Sequence, residues 1–143
     1  MLMSPRQAHG PQLASDAWMA MLEFFFDKAR PRMLELWREF DLMPPQQMTL
    51  GLLLAAPRPM GDLAAHMHCD SSNITGIVDR LTERGLVERR SAEGDRRVKL
   101  VALTDSGREL AEELARRRAV PPDEIASLSE PDLRRLHRIF SSI

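Results

Sequence analysis

A mostly helical α+β fold is predicted for this chain by three observations. Apolar residues recur at three- and four-residue steps along most of the 143 residues. Residues 70–84 carry the clearest such stripe, and a glycine, Gly85, closes it. Residues 86–103 break the helical period and read as two short strands around a charged turn.

The first helix is expected over about residues 14–40, where Trp18, Met21, Leu22, Phe25, Ala29, Met33, Leu36, Trp37 and Phe40 share a face. Pro31 lies inside that stripe, and because proline removes a donor and crowds the preceding turn, a kink is expected there. Pro44 and Pro45 open a second helix to about residue 54, with Met48 and Leu52 to Leu54 apolar. Pro57 and Pro59 bracket a tight connection. A short third helix, about residues 61–67, turns Leu63, Ala64 and Met67 inward. His68 and Cys69 make a brief turn, and Asp70 is placed to cap the fourth helix.

In that helix Ile74, Ile77, Val78 and Leu81 form a narrow apolar line. Gly85 suits a left-handed ending onto which Leu86 folds back. Strands follow at about 86–90 and 98–103, joined by residues 91–96. Thr104 caps a fifth helix to about residue 118, Pro121 and Pro122 end it, and Ser129 opens a last helix with Leu133, Leu136, Ile139 and Phe140.

Composition restricts the function classes. With 43% hydrophobic residues the chain can bury a core without metal or disulfides, and its one cysteine excludes an internal disulfide. No apolar run is long enough to span a bilayer, so no membrane partner is expected, and the polar start of the chain predicts a cytoplasmic protein. No nucleophile elbow, phosphate loop, paired catalytic carboxylates or metal motif occurs, so neither an enzyme nor a cofactor is expected. A net charge of −1 speaks against a nucleic-acid partner unless the cations gather on one surface.

Two short helices joined by a tight turn, the second amphipathic and followed by a hairpin, make a winged helix-turn-helix. The helix over 71–83 sets Ser72, Thr75, Gly76, Asp79 and Glu83 opposite its apolar line, with Asn73 and Arg80 on a flank. Its first half is small, neutral and hydrogen-bonding, which suits base edges in a major groove. Its second half holds carboxylates that phosphates would repel, so it should enter N-terminus first, where its dipole favours phosphate. Arg80, Arg84, Arg89, Arg90, Arg96, Arg97 and Lys99 follow, interleaved with Asp79, Glu83, Glu88, Glu93 and Asp95, and folding must separate the signs.

From Leu63 to Gly107 the chain resembles the MarR family of transcription regulators. The likeness is carried by Asp70-Ser71-Ser72-Asn73-Ile74-Thr75-Gly76-Ile77-Val78-Asp79-Arg80-Leu81 and by Glu83-Arg84-Gly85-Leu86-Val87-Glu88-Arg89. Asp95-Arg96-Arg97 leading into Leu103-Thr104-Asp105-Ser106-Gly107 completes it. The resemblance implies a homodimeric winged helix-turn-helix with a helical dimerisation lobe, binding double-stranded DNA at a pseudo-palindrome and usually repressing. It places a flexible tail at about 1–12 and a single domain at 13–143. The winged part would span about 42–104, and the dimerisation helices about 13–40 and 105–143.

The DNA-binding set it implies is Ser71, Ser72, Asn73, Thr75, Gly76, Arg80, Arg84, Arg89, Asp95, Arg96 and Arg97, with Arg97 entering the minor groove and Asp95 orienting it. Members often release DNA on binding small phenolic ligands, and a small aromatic or hydrophobic effector would find Trp37, Phe40, Met43 and Met48 near the hinge. The chain departs from the family pattern at Pro31, at Pro121-Pro122, and at Met43, where a capping threonine is common.

Two other readings of the same residues stand beside this one. Cys69 could sense oxidation, although it occupies the apolar turn beneath the recognition helix, where a free cysteine packs as a small hydrophobe. A winged helix can also serve protein contacts alone, without DNA. His66 and His68, two apart at a helix end, diverge and do not make a metal pair.

Overall fold

The computed structural model describes residues 10–143, and the expected tail lies outside them except for its last three residues. The described chain forms two compact units, residues 36–120 and residues 10–35 with 121–143.

In the second of these, α1 (Pro11–Phe24) starts at a proline, whose missing donor costs nothing in a first turn. Pro11 and Gln12, read from sequence as tail, are therefore helical. A π-helical turn (Phe25–Ala29) follows, in which the Arg30 amide donates to the Phe25 carbonyl, and α2 (Arg30–Glu39) continues from it. Here the disturbance expected at Pro31 takes its form: the wider turn absorbs the lost donor and the crowding by the ring. After Pro121 and Pro122 a short helix not anticipated from sequence, α7 (Asp123–Ala126), precedes α8 (Glu130–Ser141), which Ser129 caps by accepting from the Asp132 amide. Lys28 pairs with Glu124 at 3.1 Å. None of the residues of α1, α7 or α8 is fully buried, and Trp18, Phe26, Ile139 and Phe140 are each more than half exposed.

The winged unit comprises the end of α2, α3 (Pro44–Ala55), β1 (Arg58–Pro59), α4 (Met60–His66), α5 (Ser71–Glu83), β2 (Val87–Ala92), β3 (Asp95–Leu103) and α6 (Asp105–Ala119). Its core is Leu42, Leu50 and Leu53, Leu63, the α5 line of Ile74, Ile77, Val78 and Leu81, and Leu86, Val87 and Val101. Ala111 and Leu114 of α6 belong to the same cluster, so the compact unit runs on past residue 104 to Val120. The sheet is antiparallel in the order β1-β3-β2. Sequence missed β1 because a two-residue strand ending in proline has no period of its own; it exists only as an edge on Leu100 and Val101 of β3.

At α3, where Met43 offers no hydroxyl cap, the Gln46 side chain reaches back to accept from the Met43 amide at 2.8 Å. The buried hydroxyl of Thr49 donates to the Pro45 carbonyl at 2.9 Å and lies 3.2 Å from the Met67 sulfur. Three helices end alike. Asp41, His68 and Gly85 take positive φ after α2, α4 and α5, and the next amides (Leu42, Cys69 and Leu86) donate back to Trp37, Ala64 and Leu81. These are Schellman endings, and only the third uses glycine.

Candidate nucleic-acid interface

Asp70 fixes the start of the recognition helix, its carboxylate accepting from the Asn73 amide and the Ser72 hydroxyl, each at 2.8 Å. The Asn73 bond first, and then the Ser72 bond, hold the Asp70 carboxyl below the ordinary carboxylate range. The helix N-terminus thus brings its own anion, which offsets the dipole as an attraction for phosphate. Cationic attraction has to come from elsewhere in the unit.

On α5 the burial is as sharp as the sequence implied. Ile74, Ile77, Val78 and Leu81 are buried, and Ser71, Ser72, Asn73, Thr75, Gly76, Asp79 and Arg80 are exposed. The Thr75 hydroxyl donates to the Ser71 carbonyl at 2.7 Å, which leaves its lone pairs and methyl group outward. A Cβ added at Gly76 would meet nothing, so packing within the chain does not demand glycine there.

The hairpin answers the question of the mixed charges. Val87 and Val101 are buried, Arg89 pairs in register with Val101, and Ser91 pairs with Lys99. Strand alternation then puts Arg89 and Lys99 on the side shared with those buried valines, toward the recognition helix, while the register shift between Ser91 and Ala92 gives residues 95–97 at the tip their own directions. Glu88 and Arg90 fall on the other side. Arg89 confirms the direction by pairing with Asp79 of α5 at 2.6 Å. Asp95 is engaged by main chain: it accepts from the Arg97 amide at 2.9 Å, beyond the turn at Gly94, which has positive φ. Asp95 therefore fixes the backbone that carries Arg97 rather than gripping its guanidinium. Among the described residues Arg80, Arg96 and Arg97 make no ion pair.

Of the residues singled out from sequence, the structure thus gathers Ser71, Ser72, Asn73, Thr75, Gly76 and Arg80 on the exposed face of α5. It sets Arg89 beside that face and carries Arg96 and Arg97 at the tip of the wing, where Asp95 holds the Arg97 amide. Arg84 is occupied differently: its guanidinium donates to the main-chain carbonyls of Phe40, at 3.2 Å, and Asp41. No local signal in the chain announces the clamp at the base of the wing. There the Thr104 hydroxyl donates to the Gly85 carbonyl at 2.6 Å, and the Ser106 hydroxyl reaches the same oxygen at 3.1 Å. The Gly107 amide donates to the Thr104 oxygen at 3.0 Å.

The residues considered for an effector are less concentrated. Phe40 packs against the core and Trp37 is half-buried, whereas Met43 and Met48 are 63% and 49% exposed. A cavity between α3 and α6, lined by Gln47, Leu50, Leu54, Leu114 and Arg118, holds about 30 Å³, room for water and not for an aromatic ring. Cys69 packs partly buried against the core. His66 turns to the Asp62 carbonyl at 2.9 Å, and no group of three metal-ligating side chains occurs among the described residues. No described helix is long and apolar enough to cross a membrane.

Comparison with known proteins bears on the fold and the family. The MarR family pattern matches residues 55–99. The HTH-type transcriptional repressor MdtR of Bacillus subtilis (strain 168) is 32% identical over 124 residues, covering 85% of this chain and 79% of its own length. The structure of a MarR family protein from Bacillus stearothermophilus superposes with a TM-score of 0.77 at 23% identity, over 94% of this chain and 95% of that one. A crystal structure of Staphylococcus aureus MepR bound to DNA has the same fold, with a TM-score of 0.61 at 22% identity over 86% of this chain and 98% of that one.

Proposed function

The chain belongs to the MarR family, a family of DNA-binding transcription regulators and not of enzymes, and from that premise we propose that it is a homodimeric, ligand-responsive repressor of a pseudo-palindromic operator. One observation carries this reading above the others. The exposed polar face of α5 lies beside a wing on which Arg89 is held to Asp79 of α5, Lys99 shares the side of Arg89, and Asp95 fixes the backbone that carries Arg97. Asn73 and Thr75 would read base edges in the major groove, with Ser71, Ser72, Gly76 and Arg80 around them, while Arg97 reaches the adjacent minor groove, whose negative potential is deepest where it is narrow.

The dimer is supported by the unpartnered apolar side chains of α1 and α8, among them Trp18, Phe26, Ile139 and Phe140. A protein that leaves such residues bare in one copy covers them with another. Half-site centres would then lie about one helical turn, roughly 34 Å, apart. The exposed Met43 and Met48, flexible side chains beside the half-buried Trp37, suit a small aromatic or hydrophobic effector.

Selection of bound duplexes from a random pool, followed by footprinting and sedimentation at micromolar concentration, tests the reading. A two-fold footprint and a dimer are expected. A winged helix serving only protein contacts would select no sequence and bind random duplex no better than a neutral protein. A monomer that protects one half-site would overturn the dimer.

A further inference from the structure

The exposed arginine nearest the end of the recognition helix is spent on protein. Arg84 is the C-cap of α5, with its backbone fixed by the Schellman turn at Gly85. That turn is in turn clamped by Thr104 and Ser106 on the Gly85 carbonyl. From this fixed base the guanidinium spans forty-odd residues of sequence to the end of α2 and donates to two successive carbonyls, Phe40 and Asp41.

The Phe40 carbonyl is among those a helix end leaves without intrahelical partners, at the negative end of its dipole. Asp41 stands at φ 49, in the left-handed region, so its carbonyl is presented outside the helix. The neighbouring Glu39 is held by both terminal nitrogens of Arg117 from α6, at 2.8 and 2.7 Å. The end of α2 is thereby gripped from the recognition helix and from α6 at once.

We infer that Arg84 is a positioning residue, fixing the C-terminal end of the recognition helix against the end of α2, and is not a phosphate ligand. The inference rests on the DNA-binding reading for its effect on DNA, but the clasp itself can be observed in the free protein. A planar fork suits two adjacent carbonyls, whereas a single ammonium is a point charge that would serve a phosphate equally well. The two roles therefore respond differently to Arg84→Lys and to salt.

The test uses the full chain, its Arg84→Lys and Arg84→Ala variants, and a duplex selected by the parent from a random pool. Both variants should bind that duplex roughly threefold to tenfold more weakly, as expected for losing one charged hydrogen-bonded contact. The slope of log K against log salt should stay at the parent value, because no counterion release is lost. In the free protein both variants should speed amide hydrogen exchange at residues 40–42 and 85–86 and leave the wing tip as in the parent. Parent-like binding by Arg84→Lys, with the slope falling by about one per subunit in Arg84→Ala, would overturn the inference in favour of a phosphate contact. Unchanged exchange at residues 40–42 in both variants would overturn it whatever the DNA does, and a parent that selects no duplex would instead defeat the DNA-binding reading.

Discussion

Gly107 lies so close to the main chain of Leu86 that a Cβ built on it would stand 1.8 Å from the Leu86 carbonyl oxygen. The approach lets the first turn of α6 seat on the turn that ends the recognition helix, where Thr104 and Ser106 complete the join and the Thr104 amide donates to the Leu86 carbonyl at 3.1 Å. The obstacle to any side chain is backbone, which cannot rotate away. Gly107→Ala should therefore cost about 2–3 kcal/mol through forced displacement of α6 from the wing base. The urea midpoint at constant m-value measures it, and a midpoint equal to the parent's would show that the join is soft.

The two parts of the proposed interface should fail in different ways. Arg97→Ala should weaken DNA binding by roughly 1–3 kcal/mol and lower the salt slope by about one per subunit. Asn73→Ala should mainly erode preference for the selected duplex over random DNA, since its side chain carries no charge. Titrations on both duplexes from 50 to 200 mM salt separate these outcomes. Equal affinity and slope for Arg97→Ala and parent would remove the wing from the mechanism.

Asp70 provides a pH dependence with a fixed sign. Because the Asn73 amide and Ser72 hydroxyl lower its pKa in the folded chain, the unfolded chain binds a proton more readily. The cap's contribution is thus complete above the unfolded carboxylate pKa of about 3.9 and is lost as pH falls through the lower folded value. The melting-temperature gap between parent and Asp70→Ala should be widest at neutral pH and close toward strong acid. A gap constant with pH would mean that the ionised carboxylate adds nothing beyond a neutral acceptor.

Cys69 packs partly against the core, so Cys69→Ser should cost about 1 kcal/mol by setting a hydroxyl in an apolar place. Release of DNA by peroxide, whatever its extent in the parent, should be unchanged. Loss of that response in the variant would make oxidation sensing the better account.

What could be read from sequence was local. The line of Ile74, Ile77, Val78 and Leu81, the caps at Asp70, Thr104 and Ser129, and the glycine stop at Gly85 each depend on residues within about one or two turns, and all are present. What could not be read depends on partners far along the chain. Arg84 is 44 residues from Phe40, Arg89 is ten from Asp79, and nothing beside Gly107 in sequence announces the Leu86 carbonyl. Charge order misled for the same reason. Arg89 and Arg90 are equivalent neighbours in a string, yet pleating sends them to opposite sides of the wing. The apolar stripe of α1 shows the limit from another side, since its period gave the helix but not that Trp18 and Phe25 would lie exposed.

The π turn at Phe25–Ala29 has a consequence for how change can accumulate in this chain. It stores one residue more than an α turn, and each residue in a helix advances the side-chain direction by about 100°. Deleting any one of its residues would heal the helix into regular α form, and because the π turn spreads its extra residue over nearly the same rotation, Pro11–Phe24 would keep its direction relative to Met33. Trp18 and Met21 would hold their azimuths while the chain lost one residue. One codon lost at the π turn would therefore spare the face of α1, whereas the same loss inside Pro11–Phe24 would turn every residue before it by about 100°.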